Sequence, residues 1–482
     1  MTRIALCMIV RDEEQWLPGC LQSVAGLADE LVVVDTGSSD RTVALAVAAG
    51  AVVVPFVWVD DFAAARNAAL AATRCEWLLQ LDADERLAPG AVAALRRACD
   101  EGGFDCGFLT LCNARRVDDA IDDVLTRPGC RYDEPTALPR LFRRDDEFRW
   151  QGRVHENVSA WLEGRRVRNL DVALVHYGYT PEVAVARGKK QRNLTLLERW
   201  CHEQPDNPLP WTYLAWERQG ASDPAIVQTA AEAADAGWQA LARLAATIPE
   251  HAWSARLPSP VALATVKAMH QLGRGALDDV DATLRQAARW GARHPNLDLL
   301  QAQIAERRVD AAVDEAARAA GLDDACQAYE RCLAAAGQVF TDWLIDGATS
   351  WFPATGLGLC RLARGDPSGA LAALSQALAT RPAHTPARLG QAEALVDADR
   401  PAEALAALLP LLDDEEVRRH ADPWLLAAHA CVALGQLDDA RLFTASADAA
   451  LAGGGTIQRS RLPRLAALRA APQTTLLAAP GS

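Results

Sequence analysis

The sequence predicts two architectures in one chain: an α/β domain on a Rossmann-like, mostly parallel sheet, then an all-α solenoid of helical repeats. Three observations carry this. Between Ile4 and Val54, short apolar runs alternate with amphipathic segments in the order strand, helix, strand, helix, strand. From Trp211 onward Ala and Leu dominate, helical periodicity persists and β-branched runs vanish. Near the C-terminal end a helix-turn-helix pattern returns at a period near 34 residues.

Composition narrows the function classes. At 482 residues the chain has room for two or more domains with real cores. A net charge of −14, spread over the length, argues against nucleic acid as a partner. Only Lys189, Lys190 and Lys267 of the 49 basic residues are lysines. Twelve scattered cysteines, with no C-x-x-C and no zinc spacing, suit reduced thiols in the cytoplasm. The first apolar run, Ile4 to Val10, is too short for a signal peptide, and no stretch of 18 apolar residues predicts a membrane span.

Ile4–Val10 reads as a buried first strand. Arg11-Asp12-Glu13-Glu14 then opens a helix through about Val24, with Leu17, Leu21 and Val24 on one face. Leu31 to Val34 is a second strand, ending in Asp35-Thr36-Gly37-Ser38-Ser39-Asp40. Asp35 ends a core strand before small residues, where a carboxylate can meet a ribose hydroxyl or a base N–H. Ser38, Ser39 or Asp40 can equally cap the Thr42–Ala49 helix, and Asp40 is better placed for that. Ala51 to Val54 is the third strand, and right-handed crossovers make the sheet doubly wound. Asp60 and Asp61 precede an Ala-rich helix that Arg66 and Asn67 interrupt one turn in. Arg66 suits a diphosphate or a base edge, or an ion pair with Asp60 or Asp61.

Trp77-Leu78-Leu79-Gln80-Leu81 is the fourth strand, and it ends in Asp82-Ala83-Asp84-Glu85. Carboxylates this close repel unless a cation or a donor lies between them. Oxygen ligands favour Mg2+ or Mn2+, which commonly bridge one or two carboxylates to substrate phosphates. An acidic loop after a core strand is the plainer alternative.

CMIVRDEE, VVVDTGSSDRT, DDFAAARNAAL and WLLQLDADE, in this order over about 85 residues, resemble the family 2 glycosyltransferases. More narrowly, they are similar to a bacterial branch with peptide S-glycosyltransferases and lipopolysaccharide-core glucosyltransferases. The resemblance implies a GT-A fold, a nucleotide-diphosphate sugar donor (a UDP-sugar foremost), a divalent metal (Mn2+ or Mg2+) and inversion at the anomeric carbon. It places Val10, Arg11, Glu13, Asp35 and Arg66 at the nucleotide-sugar. Asp82 and Asp84 become the D-x-D that meets the ribose and the metal-bound diphosphate.

Past Glu85 the expected elements are a helix from Leu87 to Cys99, a strand from Phe108 to Cys112 and a polar, irregular loop from Asp118 to Asp133. Pro139 to Arg144 and Phe148 to Glu156 resemble the family's RLFR…GRxHE block. Glycosyl transfer needs a group to take the acceptor's proton. His155-Glu156 is the candidate pair, with Glu156 as the base; pairing of Glu156 with Arg153 or Arg149 is the structural alternative. Asp171 to Tyr179 reads as a last strand. The resemblance makes its His176 an additional metal ligand, against a purely structural hydrogen-bonding role.

Pro181 starts a basic helix, Glu182 to His202, and Pro205, Pro208 and Pro210 then break the chain. The turn residues Gly365, Asp399 and Gly435 stand 34 and 36 positions apart, and Pro382 falls between repeats. The period resembles tetratricopeptide repeats, whereas residues 240–340 show no clear phase. The expected domains are 1–204, with the 182–202 connecting helix, then 205–472, then a frayed tail at 473–482. Such a solenoid binds an extended peptide or protein, forms a homodimer, or braces the catalytic domain. The leading function is a metal-dependent inverting glycosyltransferase acting on a peptide or protein. A polysaccharide or lipid-linked saccharide is the alternative acceptor, and an inactive scaffold the alternative of another class.

Overall fold

Ile4–Val10 forms β1, an interior strand of the N-terminal sheet. Its even residues, Ile4, Leu6, Met8 and Val10, and its odd residues, Ala5 and Cys7, are buried in two separate apolar clusters. Successive strand side chains point to opposite faces. An unbroken apolar run therefore means a sheet covered on both sides. The computed structural model describes residues 2–132, 135–162, 164–180, 189–219, 224–338, 340, 342–457 and 461–470. The first turns of the expected 182–202 helix and the expected tail at 473–482 lie outside them.

β2 (Glu30–Asp35) and β4 (Trp77–Gln80) flank β1 in parallel, and β3 (Val52–Pro55) runs parallel outside β2. The remaining strands are β5 (Glu85–Leu87), β6 (Cys106–Asn113), β7 (Thr136–Arg143) and β8 (Val167–His176). They complete an eight-stranded sheet of order β3-β2-β1-β4-β7-β6-β8-β5. β7 is antiparallel to β4 and β6, β8 is parallel to β6, and β5 is antiparallel to β8. The mostly parallel expectation thus describes the first half, and the second half is mixed. α1 (Leu17–Ser23), α2 (Thr42–Ala48) and α4 (Ala91–Glu101) cover the even face through Leu17, Ala46 and Leu95. α3 (Phe62–Ala71) covers the odd face with Ala63, Ala65 and Ala69, and Asp61 caps it by accepting the Ala64 N–H at 2.8 Å.

Three local expectations change. α1 begins at Leu17 rather than at Arg11. Asp12 takes φ 54°, outside the helical region, and its carboxylate accepts the Ser39 N–H at 2.7 Å. Glu85–Leu87 is a short strand, so α4 starts only at Ala91. The expected loop at 118–133 holds a helix, Ile121–Thr126, and a turn, Pro128–Cys130, anchored by the buried Val124; Asp133 lies outside the described residues.

The chain divides into two compact units, Met1–Leu297 with Gly337–Asp346, and Asp298–Ala336 with Gly347–Ser482. The change from strands to helices near residue 205 falls inside the first. There Leu196, Leu197 and Trp200 of the helix Lys189–Glu203 share a core with Val154, Leu214, Ala233 and Val266. Phe340 adds a bridge to Thr136, and its carbonyl accepts the Ala137 N–H at 2.9 Å. The unphased region contains a helix pair, Val261–Gly273 and Leu277–Arg289, turned at Gly275 with φ 73°.

In the second unit the helices Trp351–Ala363, Pro367–Thr380, Thr385–Asp397, Pro401–Leu408, Ala421–Ala433 and Leu437–Ala452 follow one another. Gly365, Asp399 and Gly435, the turn residues read from the repeat, take φ of 76°, 57° and 75°. Glycine adopts this left-handed region freely and aspartate tolerates it. Ala354, Ala370, Ala377, Ala387 and Ala394 are fully buried around Leu374, and their small side chains let helices approach closely. Among the described residues no helix is long and apolar enough to cross a membrane.

Candidate active site

The chain builds β1, β2 and β3 to one side, then returns to place β4 on the other side of β1. Open sheets bind ligands at such a reversal, beyond the carboxyl ends of the strands. Val10 ends β1, Asp35 ends β2, and Asp82 and Asp84 follow β4 at this edge. The loops after β1 and β2 are cross-bonded: Asp12 accepts from Ser39, the Glu13 N–H donates to Thr42 Oγ1 at 2.7 Å, and Glu14 accepts the Arg41 N–H at 3.1 Å. The Val10 carbonyl is taken by the Thr36 N–H at 3.0 Å, and Arg11 is exposed. Asp35 accepts the N–H groups of Gly37 and Ser38 at 3.2 Å each, and Asp40 accepts the Thr42 N–H at 2.9 Å. The Asp40 carboxylate thus receives the first N–H of α2 from one position before the N-cap Arg41, while the Asp35 carboxylate is held in its own turn.

Arg66 explains why the Ala-rich α3 is interrupted. Its side chain is only 6% exposed; Nε donates to Glu156 and Nη2 to Asp82 Oδ1 at 3.1 Å. Neither Asp60 nor Asp61 is its partner, and Glu156 pairs with Arg66 rather than with Arg153, which binds Glu203 at 2.7 Å. Asn67 exchanges hydrogen bonds of 3.0 Å with the backbone N–H and carbonyl of Trp150. Adjacent residues of α3 thus pin the segment that carries Glu156. The Arg66 guanidinium also lies 5.3 Å from the Trp150 ring. Burial opposes charge on Asp82, but Arg66, with Arg140 and His176, holds its carboxyl below the usual range.

Asp84 and His176 form the second cluster. Their Oδ1 and Nε2 atoms lie 3.4 Å apart, and His176 Nδ1 is hydrogen-bonded to Asn113 Oδ1 at 2.7 Å. Burial opposes protonation of His176, yet the Asp84 carboxylate raises its pKa above the ordinary value. Asn113 orients the ring as a supporting residue does behind a metal ligand. With Nδ1 donating to Asn113, Nε2 and Asp84 face each other favourably only with a proton or a cation between them. Two cis donors on an octahedral ion with bonds of about 2.1 Å stand about 3 Å apart, close to the observed separation. Among the described residues no three His, Cys, Asp or Glu groups form a closed cage. The pair suits an ion that takes its other ligands from diphosphate and water.

His155 points elsewhere. Its backbone has φ 52°, its Nε2 lies 3.2 Å from Glu217 Oε1, and its ring stacks on Tyr213 at 4.6 Å. It ties the 150–156 segment to the helix Pro208–Arg218.

Glu85 stands in the sequence among the clustered carboxylates without a partner, and Gly178 and Lys189 carry no assigned role there. Glu85, 1% exposed, pairs with Arg140 and accepts the Asp82 N–H at 3.0 Å; burial pushes its carboxyl up. A Cβ on Gly178 would overlap Asp84 Oδ2 and stand 2.7 Å from His176 Nε2, so any larger residue must displace one of these side chains. Lys189 brings its ammonium to 3.8 Å from Asp84 Oδ2. The signals were slight: a third carboxylate beside the D-x-D, a glycine two residues past His176, and a lysine in a chain that otherwise prefers arginine.

Residues 5–154 match the family model of Glycosyl transferase family 2, and residues 361–419 that of the tetratricopeptide repeat. A TPR repeat-containing protein of Synechococcus elongatus is 36% identical over 217 residues, 43% of this chain and 50% of that protein. The SPbeta prophage-derived glycosyltransferase SunS of Bacillus subtilis is 28% identical over 213 residues, 42% of this chain and 46% of SunS. The chain spans about half the length of these curated relatives. A solved glucosyl-3-phosphoglycerate synthase from Mycobacterium tuberculosis is 26% identical, covering 24% of this chain and 45% of that one, with a TM-score of 0.20. At that score nothing about the site is carried across. Residues 5–154 are a glycosyl transferase family 2 domain, joined on one chain to a tetratricopeptide repeat at residues 361–419.

Proposed function

We propose that the chain is a metal-dependent, inverting glycosyltransferase of the cytoplasm. It moves a sugar from a nucleotide-diphosphate sugar, a UDP-sugar foremost, to a peptide or protein side chain presented by the helical repeats. The observation that carries this reading is the buried Arg66, which joins Asp82 of the D-x-D to Glu156. One guanidinium links the residue assigned to the donor with the residue assigned to the acceptor's proton.

Asp84 and His176 would hold the divalent ion, which when bound offsets charge on the leaving diphosphate. Asp82 meets the ribose side of the donor, with its carboxylate kept ionised by Arg66. The acceptor attacks the anomeric carbon from the face opposite the diphosphate. The bond from that carbon to the phosphate oxygen breaks, its electron pair leaves with the diphosphate, and configuration inverts. Glu156 takes the acceptor's proton, and its pairing with Arg66 fixes where that carboxylate sits. The repeats supply acceptor binding remote from the reacting atom, and a homodimer through them is compatible with this role.

The test is a thermal-shift panel of nucleotide-sugars with and without Mn2+, followed by hydrolysis of the stabilising donor. Metal-dependent stabilisation and slow hydrolysis are expected. A chain that binds no nucleotide-sugar and hydrolyses none in Mn2+ is a scaffold, and the proposal fails.

A further inference from the structure

Asp84 is held from both sides. His176 Nε2 lies 3.4 Å from Oδ1, and Lys189 Nζ lies 3.8 Å from Oδ2. The same ammonium donates to the Gly178 carbonyl at 3.2 Å. Gly178 itself abuts Asp84 so closely that a methyl group would overlap the carboxylate. Asp84, His176, Gly178 and Lys189 thus form one packed group. The Asp84 side chain is 6% exposed and that of Lys189 27%.

The residue type matters. A guanidinium makes hydrogen bonds in fixed directions, as Arg66 does to Glu156 and Asp82. An ammonium is a compact point charge on a flexible stem, able to exchange one anion for another. At 3.8 Å the contact with Asp84 is electrostatic rather than a formed hydrogen bond. A bound diphosphate would bring new negative charge beside Asp82, Asp84 and Glu85, and lysine is a common phosphate binder.

We propose that Lys189 is a diphosphate-binding residue of the donor site. In the free protein it is the cation beside Asp84; with metal and donor present it turns to the diphosphate. This rests on the glycosyltransferase reading above. During transfer its ammonium stabilises the oxygen that receives the electron pair of the broken bond.

The experiment is calorimetric titration of UDP into the full-length protein and its K189M and K190M variants, in Mn2+ and in EDTA. Mn2+ alone is titrated in parallel. Lys190 is exposed and serves as the control. K189M should bind UDP about tenfold more weakly in Mn2+, the loss of one charge-assisted contact. It should also bind Mn2+ alone more tightly, because a competing cation is gone. K190M should match wild type. If K189M loses its circular dichroism spectrum, K189Q replaces it with the same expectation. UDP affinity within twofold of wild type in the folded variant overturns the assignment of Lys189. Absence of UDP binding by wild type overturns the glycosyltransferase reading itself, a distinguishable result.

Discussion

Arg66 and Glu156, 90 positions apart in sequence, meet as a buried ion pair, and the same guanidinium donates to Asp82. Replacing Arg66 by Met leaves two carboxylates without their shared counter-charge. Breaking a buried pair from one side costs about 3–5 kcal/mol. R66M should therefore melt earlier in denaturant and lose donor affinity. Stability equal to wild type would show that water solvates this pair.

Glu156→Gln separates chemistry from binding. Gln can still accept from Arg66 but cannot take the acceptor's proton. Turnover should fall about 10²–10⁴-fold while UDP-sugar affinity is kept. A loss of tenfold or less, measured by steady-state kinetics, moves the role to another group.

The metal cluster gives a conditional prediction. Asp84→Ala should lower UDP affinity chiefly in Mn2+ or Mg2+ and little in EDTA, because the ion joins protein to diphosphate. His176→Ala should be a milder version. Equal affinities in saturating Mn2+ would remove Asp84 as a ligand.

Gly178→Ala tests the packing behind that cluster. The added carbon would overlap Asp84 Oδ2, the end of a side chain that can swing aside. The fold should survive with a small change in melting temperature. Metal-dependent UDP binding should fall about tenfold or more, as a misplaced ligand implies. Unchanged binding would mean that the Asp84 rotamer is immaterial.

Truncation reports on the first compact unit. A chain ending at Gln204 loses the cover of Leu196, Leu197 and Trp200 supplied by Leu214, Ala233 and Val266, and should be insoluble. A chain ending at Asp346 keeps all of that unit, including the Phe340 bridge, and should fold and bind UDP. Soluble expression of residues 1–204 with native donor affinity would refute this.

By itself the sequence determined the parallel strands, the D-x-D at the end of β4 and the repeat turns at Gly365, Asp399 and Gly435. These are local matters: an apolar run covered on both faces has few alternatives to a central strand. A left-handed turn likewise requires Gly or a tolerant residue where it occurs. Only the tertiary structure decided the partners of the charged residues. Glu85–Leu87 becomes a strand because β8 pairs with it, and that pairing sets Glu85 opposite His176. The same chain path brings Arg140 to Glu85 and Glu156 to Arg66, and it turns His155 toward Glu217. Partner choice depends on strand register and on which face of a helix is buried. Neither is written in residue spacing, because pairs tens of residues apart meet only once the sheet has closed.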